Sequence, residues 1–154
     1  MAPAARNVEA VRRVFETGRE YINGNHEPFE QAVAELCAPD ILVVPSSVLA
    51  SGSAGPFRGR DSVLRQQAAV ASRWPEFDII TEDYVEVPPS TVVMLGKVAA
   101  RRGDGSGYAA EVGVVNRLED GQIVSMHSYE SKSRALDEAG AGDLDPGVGS
   151  DEEP

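Results

Sequence analysis

The period of the hydrophobic pattern changes at Pro75, and this change constrains the fold more than any other feature. Before Pro75, apolar residues recur every three or four positions, a spacing typical of amphipathic helices. After it, four segments rich in β-branched residues are separated by short turns. Short connections between consecutive strands favour an antiparallel meander. Because a sheet and helices must bury their apolar faces on each other, the sequence predicts an α+β domain.

The predicted elements are four helices and five strands. Helices are predicted over Asn7–Asn23, Pro28–Cys37, Asp61–Arg73 and Ser133–Ala139. Strands are predicted over Ile41–Pro45, Phe77–Val87, Thr91–Arg102, Gly107–Leu118 and Gln122–Glu130. One face of the third helix is expected to carry Val63, Leu64, Gln67, Ala68 and Ala71. A curved sheet wrapped around three N-terminal helices encloses a conical interior, and such interiors are common ligand sites.

Charge and cysteine content narrow the classes of partner and compartment. The 154 residues include 25 acidic and 14 basic ones, a formal net charge of −11. Nucleic acids and anionic membranes attract basic faces, so neither is an expected partner. No apolar run approaches the roughly 20 residues that span a bilayer, and Met1–Glu9 lacks the apolar core of a signal peptide. The single cysteine, Cys37, allows no intrachain disulfide and is expected in the core of a soluble cytoplasmic protein.

The last residues differ in composition from the rest. From Ala139 to Pro154 the chain has five acids, four glycines and no base. Such a stretch has too little apolar surface to offset the entropy lost on ordering. We therefore predict one domain over residues 1–140 and a disordered acidic tail over 141–154.

Two short motifs add a resemblance to a known family. Phe57-Arg58-Gly59-Arg60-Asp61 precedes the third helix, and Asp120-Gly121-Gln122-Ile123-Val124 leads to Tyr129. With the order of elements, they resemble the SnoaL-like branch of the NTF2-like superfamily, which includes ketosteroid isomerase, limonene-epoxide hydrolase and polyketide cyclases. The resemblance covers about Asn7–Gly140 and implies a conical barrel, a deep apolar pocket and a homodimer formed through the sheet. It implies no single reaction, because function depends on the site rather than on the fold.

The acids and bases of the family's known enzymes are missing where the resemblance assigns them. The base of ketosteroid isomerase corresponds to Pro45, which cannot exchange a proton. The acids and arginine of limonene-epoxide hydrolase correspond to Lys97, Ala99 and Ser128. The late aspartate of the polyketide cyclases falls within residues 126–128, which contain no carboxylate. Any catalysis would therefore need a different set of acid and base residues.

Asn116 is a candidate for such a set. Along Gly107–Leu118 the charged residues Glu111 and Arg117 have odd numbers, so strand alternation directs the even-numbered residues inward. Asn116 is then an amide among apolar neighbours and needs hydrogen-bond partners. Two interpretations stay open: a structural bond to a neighbouring element, or a contact with a ligand.

Lys97 and Asp83 are the other catalytic candidates. Lys97 shares its parity with Leu95 and Ala99, so its ammonium group could point inward, paired with Asp83. The alternative is that a bulge shifts the register and leaves Lys97 solvated on the outer face. Asp83 shares its parity with Phe77 and Ile79, which favours a partly inward carboxylate.

The expected ligand wall combines aromatic residues with a few polar groups. Its members are Phe15, Trp74, Tyr108, Asn116, Met126 and Ser128. The two histidines, His26 and His127, are far apart and lack the spacing of metal ligands. We expect neither a metal nor a cofactor.

These observations predict a protein that binds a small hydrophobic molecule. It would be a cofactor-independent isomerase, cyclase or hydrolase, acting on a polyketide-, terpenoid- or steroid-like substrate, only if one of the three candidates is active. The alternative is a non-catalytic binding, accessory or interaction module of the same fold. A homodimer is expected because Ile123, His127 and Tyr129 are placed on the uncovered sheet face.

Overall fold

The helices that the sequence predicts are all present. The computed structural model describes residues 3–45, 56–73, 76–101 and 103–140, so Trp74 and the predicted acidic tail lie outside the described residues. The helices are α1 (Pro3–Ile22), α2 (Glu27–Leu36), α3 (Arg60–Arg73) and α4 (Lys132–Ala139). The Ser131 hydroxyl caps α4 by accepting a hydrogen bond from the Arg134 N–H, and Gly140 ends it at a φ of 87°. None of the described helices is long and apolar enough to cross a membrane.

Within the described residues, six strands form one mixed sheet, which confirms the predicted α+β class. They are β1 (Cys37–Val44), β2 (Phe57–Arg58), β3 (Glu76–Val87), β4 (Thr91–Arg101), β5 (Gly107–Glu119) and β6 (Gln122–Tyr129). Their order across the sheet is β2-β1-β6-β5-β4-β3. Strands β3 to β6 form the predicted antiparallel meander, whereas β1 runs parallel to β6. The two-residue strand β2, which pairs with β1, was not expected from the sequence.

Cys37 lies at the boundary between α2 and the sheet. It begins β1 instead of ending α2, and it is completely buried. Burial raises the pKa of its thiol to about 12, and the nearby Arg60 guanidinium opposes this rise. A thiol with this pKa is protonated and unreactive at neutral pH, so the expectation that Cys37 is a core residue is confirmed.

The two faces of the sheet bury different elements. The inner face packs against α1, α2 and α3 around residues such as Val11, Phe29 and Ile41. On the outer face, α4 covers Val93 and Val115 with Ala135 at the centre of the contact. The approach is close there, because a Cβ atom on Gly113 would lie 2.5 Å from the Cβ of Ala135.

A bulge in β3 reverses which residues face the interior. The register shifts between Thr81 and Asp83. Before the shift the odd-numbered Ile79 lies in the inner core, and after it the even-numbered Tyr84 does. The later odd-numbered residues, Val85 and Val87, pack under α4 on the outer face. The parity that favours an inward Asp83 is therefore interrupted by one inserted residue.

A second register shift changes which residues of β6 lie on the outer face of the sheet. It lies between Arg117 and Leu118, where β5 meets β6. Beyond it, Ile123 is completely buried in the inner core. Placing Ile123 on the outer face with His127 and Tyr129 was therefore wrong. Those two residues do share the outer face, where their rings stack with centroids 4.5 Å apart.

Candidate functional site

A cavity lies between α1, α3 and the inner face of the sheet. Its volume is about 120 Å³, and it is partly open to solvent. Most of its wall is apolar, with the side chains Val14, Phe15, Phe29, Val43, Pro45, Val63, Val70, Phe77, Ile79, Val114 and Met126. The polar side chains of the wall are Gln66, Gln67 and Ser128. An apolar cavity with few polar groups is typical of a small-molecule site.

Helix α3 contributes four side chains with helical spacing. Val63, Gln66, Gln67 and Val70 follow an i, i+3, i+4, i+7 pattern and all line the cavity. In such a pattern the core-facing positions are normally apolar, yet the two central ones here are glutamines. The predicted apolar face of this helix includes Gln67 but also Ala68, which is exposed in the structure. Two adjacent glutamines between apolar residues of one helix face are the sequence feature that could have identified Gln66 and Gln67 as cavity residues.

Gln67 is held by a backbone carbonyl on α1. Its Nε2 donates a hydrogen bond to the carbonyl oxygen of Gly18 at 2.8 Å. A Cβ atom at Gly18 would lie 3.3 Å from Nε2 and 3.3 Å from the Phe29 ring. The missing side chain of Gly18 therefore gives the amide room to reach the carbonyl.

Three of the predicted ligand residues line this cavity. They are Phe15 on α1 and Met126 and Ser128 on β6. Alternation along β6 places Met126 and Ser128 on the same inner face, as expected. Trp74 lies outside the described residues, and for Tyr108 the structure describes only its backbone position in β5.

Asn116 is in the core and is not part of the cavity wall. It is completely buried, and its Nδ2 donates to the carbonyl oxygens of Val92 at 3.0 Å and Val114 at 3.1 Å. Its Oδ1 has no hydrogen-bond partner among the described residues. Asn116 pairs with Met126 across the two strands, but it does not line the cavity that Met126 and Ser128 line. The contacts match the structural interpretation of this amide.

Lys97 and Asp83 both lie on the outer side of the sheet. Lys97 is exposed, and its Nζ lies 3.5 Å from Glu82 Oε2. Asp83 is exposed beside the bulge and pairs with Leu95, while its carboxylate accepts the Tyr84 N–H at 2.9 Å. The expectation of an inward Lys97–Asp83 pair is therefore wrong, and the bulged, solvated alternative describes Lys97.

Glu82 joins Lys97 to α4 on the same outer face. Lys132 Nζ donates to Glu82 Oε1 at 2.6 Å. This hydrogen bond lowers the pKa of the Glu82 carboxyl and raises that of the Lys132 ammonium. The network is exposed and separated from the cavity by the sheet, so it cannot act on a molecule bound there.

The described wall of the cavity contains no ionisable side chain. Tyr84 faces the interior nearby without lining the cavity, and burial raises the pKa of its phenol. Arg19 and Asp78 follow the wall residues Gly18 and Phe77 in the sequence and form an ion pair. In this pair the Arg19 guanidinium donates to both carboxylate oxygens of Asp78, at 2.6 and 2.8 Å. The part of the cavity wall that the structure describes therefore carries no charged side chain.

A metal site has no support in the described part of the chain. Within residues 3–45, 56–73, 76–101 and 103–140, no three His, Cys, Asp or Glu side chains lie close enough together to hold an ion. The polar groups of the cavity are amides and a hydroxyl, which are weak ligands for the metals that proteins bind. The site can therefore position a molecule by shape and neutral hydrogen bonds.

Comparison with known proteins identifies the family. The SnoaL-like domain matches residues 11–126, so the chain belongs to the SnoaL-like family. This confirms the resemblance derived from the two motifs and the order of elements. No curated protein matches the sequence.

Solved structures share the fold at low identity. An NTF2-like protein of unknown function from Burkholderia pseudomallei K96243 has 20% identity and a TM-score of 0.65, over 88% of this chain and 96% of that one. A candidate SnoaL-like polyketide cyclase from Jannaschia sp. CCS1 has 17% identity and a TM-score of 0.68, over 88% and 93%. TerC, crystallised with polyporic acid, has 16% identity and a TM-score of 0.66, over 84% and 94%. At these identities the similarity shows the NTF2-like fold.

Proposed function

We propose that this protein binds a neutral, largely apolar small molecule in the cavity between α1, α3 and the sheet. The SnoaL-like family supports a role in small-molecule binding. The observation that carries the finer proposal is the absence of ionisable side chains from the described wall. A charged ligand would lose its hydration there without gaining an opposite charge, which costs free energy. A neutral ligand incurs no such cost and gains by burying apolar surface.

The volume of the cavity limits the size of the buried group. An engineered apolar cavity of about 150 Å³ holds one benzene molecule, and the cavity here measures about 120 Å³. The cavity is slightly smaller than that reference and partly open, so one six-membered ring is about the largest group it can bury, and a larger polyketide-, terpenoid- or steroid-like molecule would extend through the opening. The structural neighbour TerC was crystallised with polyporic acid.

The same wall favours binding over acid–base catalysis. Pro45 and Ser128 line the cavity at positions that the resemblance assigns to a base and an acid, and neither ionises near neutral pH. The three catalytic candidates, Asn116, Lys97 and Asp83, lie elsewhere. An isomerase, cyclase or hydrolase, which is the alternative function, would need an acid or base from outside the described wall.

Titration with simple probes tests the proposed function. We expect toluene to shift the NMR signals of Met126 and Ser128, and benzoate of the same ring size to leave them unchanged. Val70→Phe fills the cavity from α3 and should weaken toluene binding. Ala68→Phe adds the same ring on the exposed side of that helix, so it serves as the control. Equal binding of benzoate, or toluene binding unaffected by Val70→Phe, would contradict the proposal.

A second copy of the chain is the partner we propose for the outer face of β1 and β6. Leu42 and Val44 are half-buried there, next to the stacked His127 and Tyr129 rings. Helix α4 covers the outer face of β3, β4 and β5 and reaches Tyr129, which leaves the β1 side of the sheet, and apolar surface on an open sheet face favours association. Light scattering at micromolar concentration should give the mass of a dimer, and Val44→Glu should give a monomer. A monomeric wild type would refute the dimer.

A further inference from the structure

We propose that Gln67 selects ligands that carry a hydroxyl or N–H group, by presenting a fixed hydrogen-bond acceptor to the cavity. The inference rests on the proposed function, because it names the chemical class of the molecule held in the same cavity. It adds a specificity-determining residue that is outside the predicted set of site residues.

The position of Gln67 is unusual for a residue with no role in recognition. It occupies a core-facing position of α3, between the apolar Val63 and Val70. A long amide buries polar atoms there and loses rotamer freedom, so an apolar side chain would be the ordinary choice. A polar side chain at a core-facing position needs a hydrogen-bond partner, so its presence there points to a specific interaction.

The Gly18 carbonyl fixes the orientation of the Gln67 amide. A carbonyl oxygen can only accept, so the amide group 2.8 Å from it must be the Nε2 donor. Exchanging the amide oxygen and nitrogen would bring two acceptors together. The Oε1 atom is therefore held as an acceptor, on a side chain that lines the cavity, and no described residue donates a hydrogen bond to it.

Among the polar side chains of the wall, Gln67 is the one we expect to distinguish a ligand hydroxyl from a ligand carbonyl. The Ser128 hydroxyl both donates and accepts, so it can satisfy a ligand alcohol or a ligand carbonyl equally well. Gln66 already has an interaction of its own. Toward a ligand, Gln67 Oε1 offers only acceptance. A ligand carbonyl or ether oxygen placed against it leaves two acceptors unpaired, and sites built in this way discriminate against the wrong group.

Cyclohexanol and cyclohexanone test this inference because they have nearly the same size and differ in donor capacity. We expect the wild-type protein to bind cyclohexanol about tenfold more tightly in an NMR titration, the effect of one hydrogen bond. Gln67→Met keeps an unbranched side chain of similar length and removes the acceptor, so the two affinities should become equal. Gln31→Met makes the same change at an exposed position of α2, outside the cavity wall, and should keep the preference.

The affinity ratio separates recognition from a merely structural role, since loss of packing weakens both ligands together. If Gln67→Met does not fold, Gly18→Ala provides the second variant. Its Cβ would crowd Nε2 at 3.3 Å and release the amide, so the preference should fall.

Equal wild-type affinities, or a preference retained in Gln67→Met, would overturn the role of Gln67 while leaving the binding function intact. If neither probe binds the wild type, the proposed function fails and the selectivity fails with it.

Discussion

The backbone of Gly96 on β4 lies directly against the carbonyl group of Ile80 on β3. A Cβ atom at Gly96 would overlap the Ile80 oxygen, and that carbonyl belongs to the backbone. The contact coincides with the bulge at Thr81–Asp83. Only glycine permits this approach, so the bulge and the glycine specify each other.

Gly96→Ala should therefore be strongly destabilising. The added methyl must displace a paired strand, and such overpacking costs about 1–3 kcal/mol or more. Gly107→Ala is the matched control, because among the described residues a Cβ there meets only the Ala100 carbonyl, at an ordinary 3.8 Å, and it should change stability by less than about 0.5 kcal/mol. Urea unfolding of both variants measures the difference, and equal stabilities would contradict this account of the bulge.

The bulge also explains which site residues the sequence could not place. The apolar residues Phe77, Ile79, Val85 and Val87 all have odd numbers, so the pattern resembles one uninterrupted strand face. The bulge places the first pair inside and the second pair under α4. Nothing in the alternation of β3 marks this reversal, because the inserted residue falls between two apolar pairs. The only sequence sign was Gly96 in the partner strand.

Elements with an uninterrupted period were predictable. The even-numbered face of β5 and the inner positions Met126 and Ser128 follow from alternation, because pairing within that part of the meander is regular. Helices α1 to α3 were predictable for the same reason, because the apolar residues before Pro75 keep a helical period. The inner face of α3 was less predictable, because a small residue such as Ala68 counts as apolar in the pattern although it is exposed in the structure.

Asn116→Leu should lower stability without changing ligand binding. The amide donates to the Val92 and Val114 carbonyls in a fully buried place, and leaving such acceptors unpaired costs about 1–3 kcal/mol. Thermal unfolding measures the loss, and titration with toluene measures the binding. Ser128→Ala, a substitution in the cavity wall, is the comparison that should affect binding more than stability. Weaker toluene binding in a folded Asn116→Leu protein would return this residue to the site.

The Glu82 carboxyl should titrate at a higher pH once Lys132 is neutralised. Its pKa is lowered chiefly by the hydrogen bond from Lys132, with a smaller effect of Lys97. Because the folded-state pKa is depressed, this pair contributes stability above the ordinary pKa of a glutamate and loses it as the pH falls. In an NMR titration Lys132→Gln should raise the pKa of Glu82 more than Lys97→Gln does, since the ammonium groups lie 2.6 and 3.5 Å away. Equal shifts would contradict the assignment, and high salt should reduce both.

Stability should fall above pH 9 because of Cys37. Burial raises the pKa of this thiol from 9.0 to about 12, so the unfolded chain ionises first as the pH rises. The contribution is fully present below pH 9 and is lost toward pH 12, by up to about 4 kcal/mol. Urea unfolding of the wild type and of Cys37→Ala between pH 8 and about pH 11 isolates this effect, because the lysines and tyrosines titrate in both proteins. The variant should show the shallower decline, whereas parallel curves would mean that the thiol ionises as easily in the folded protein.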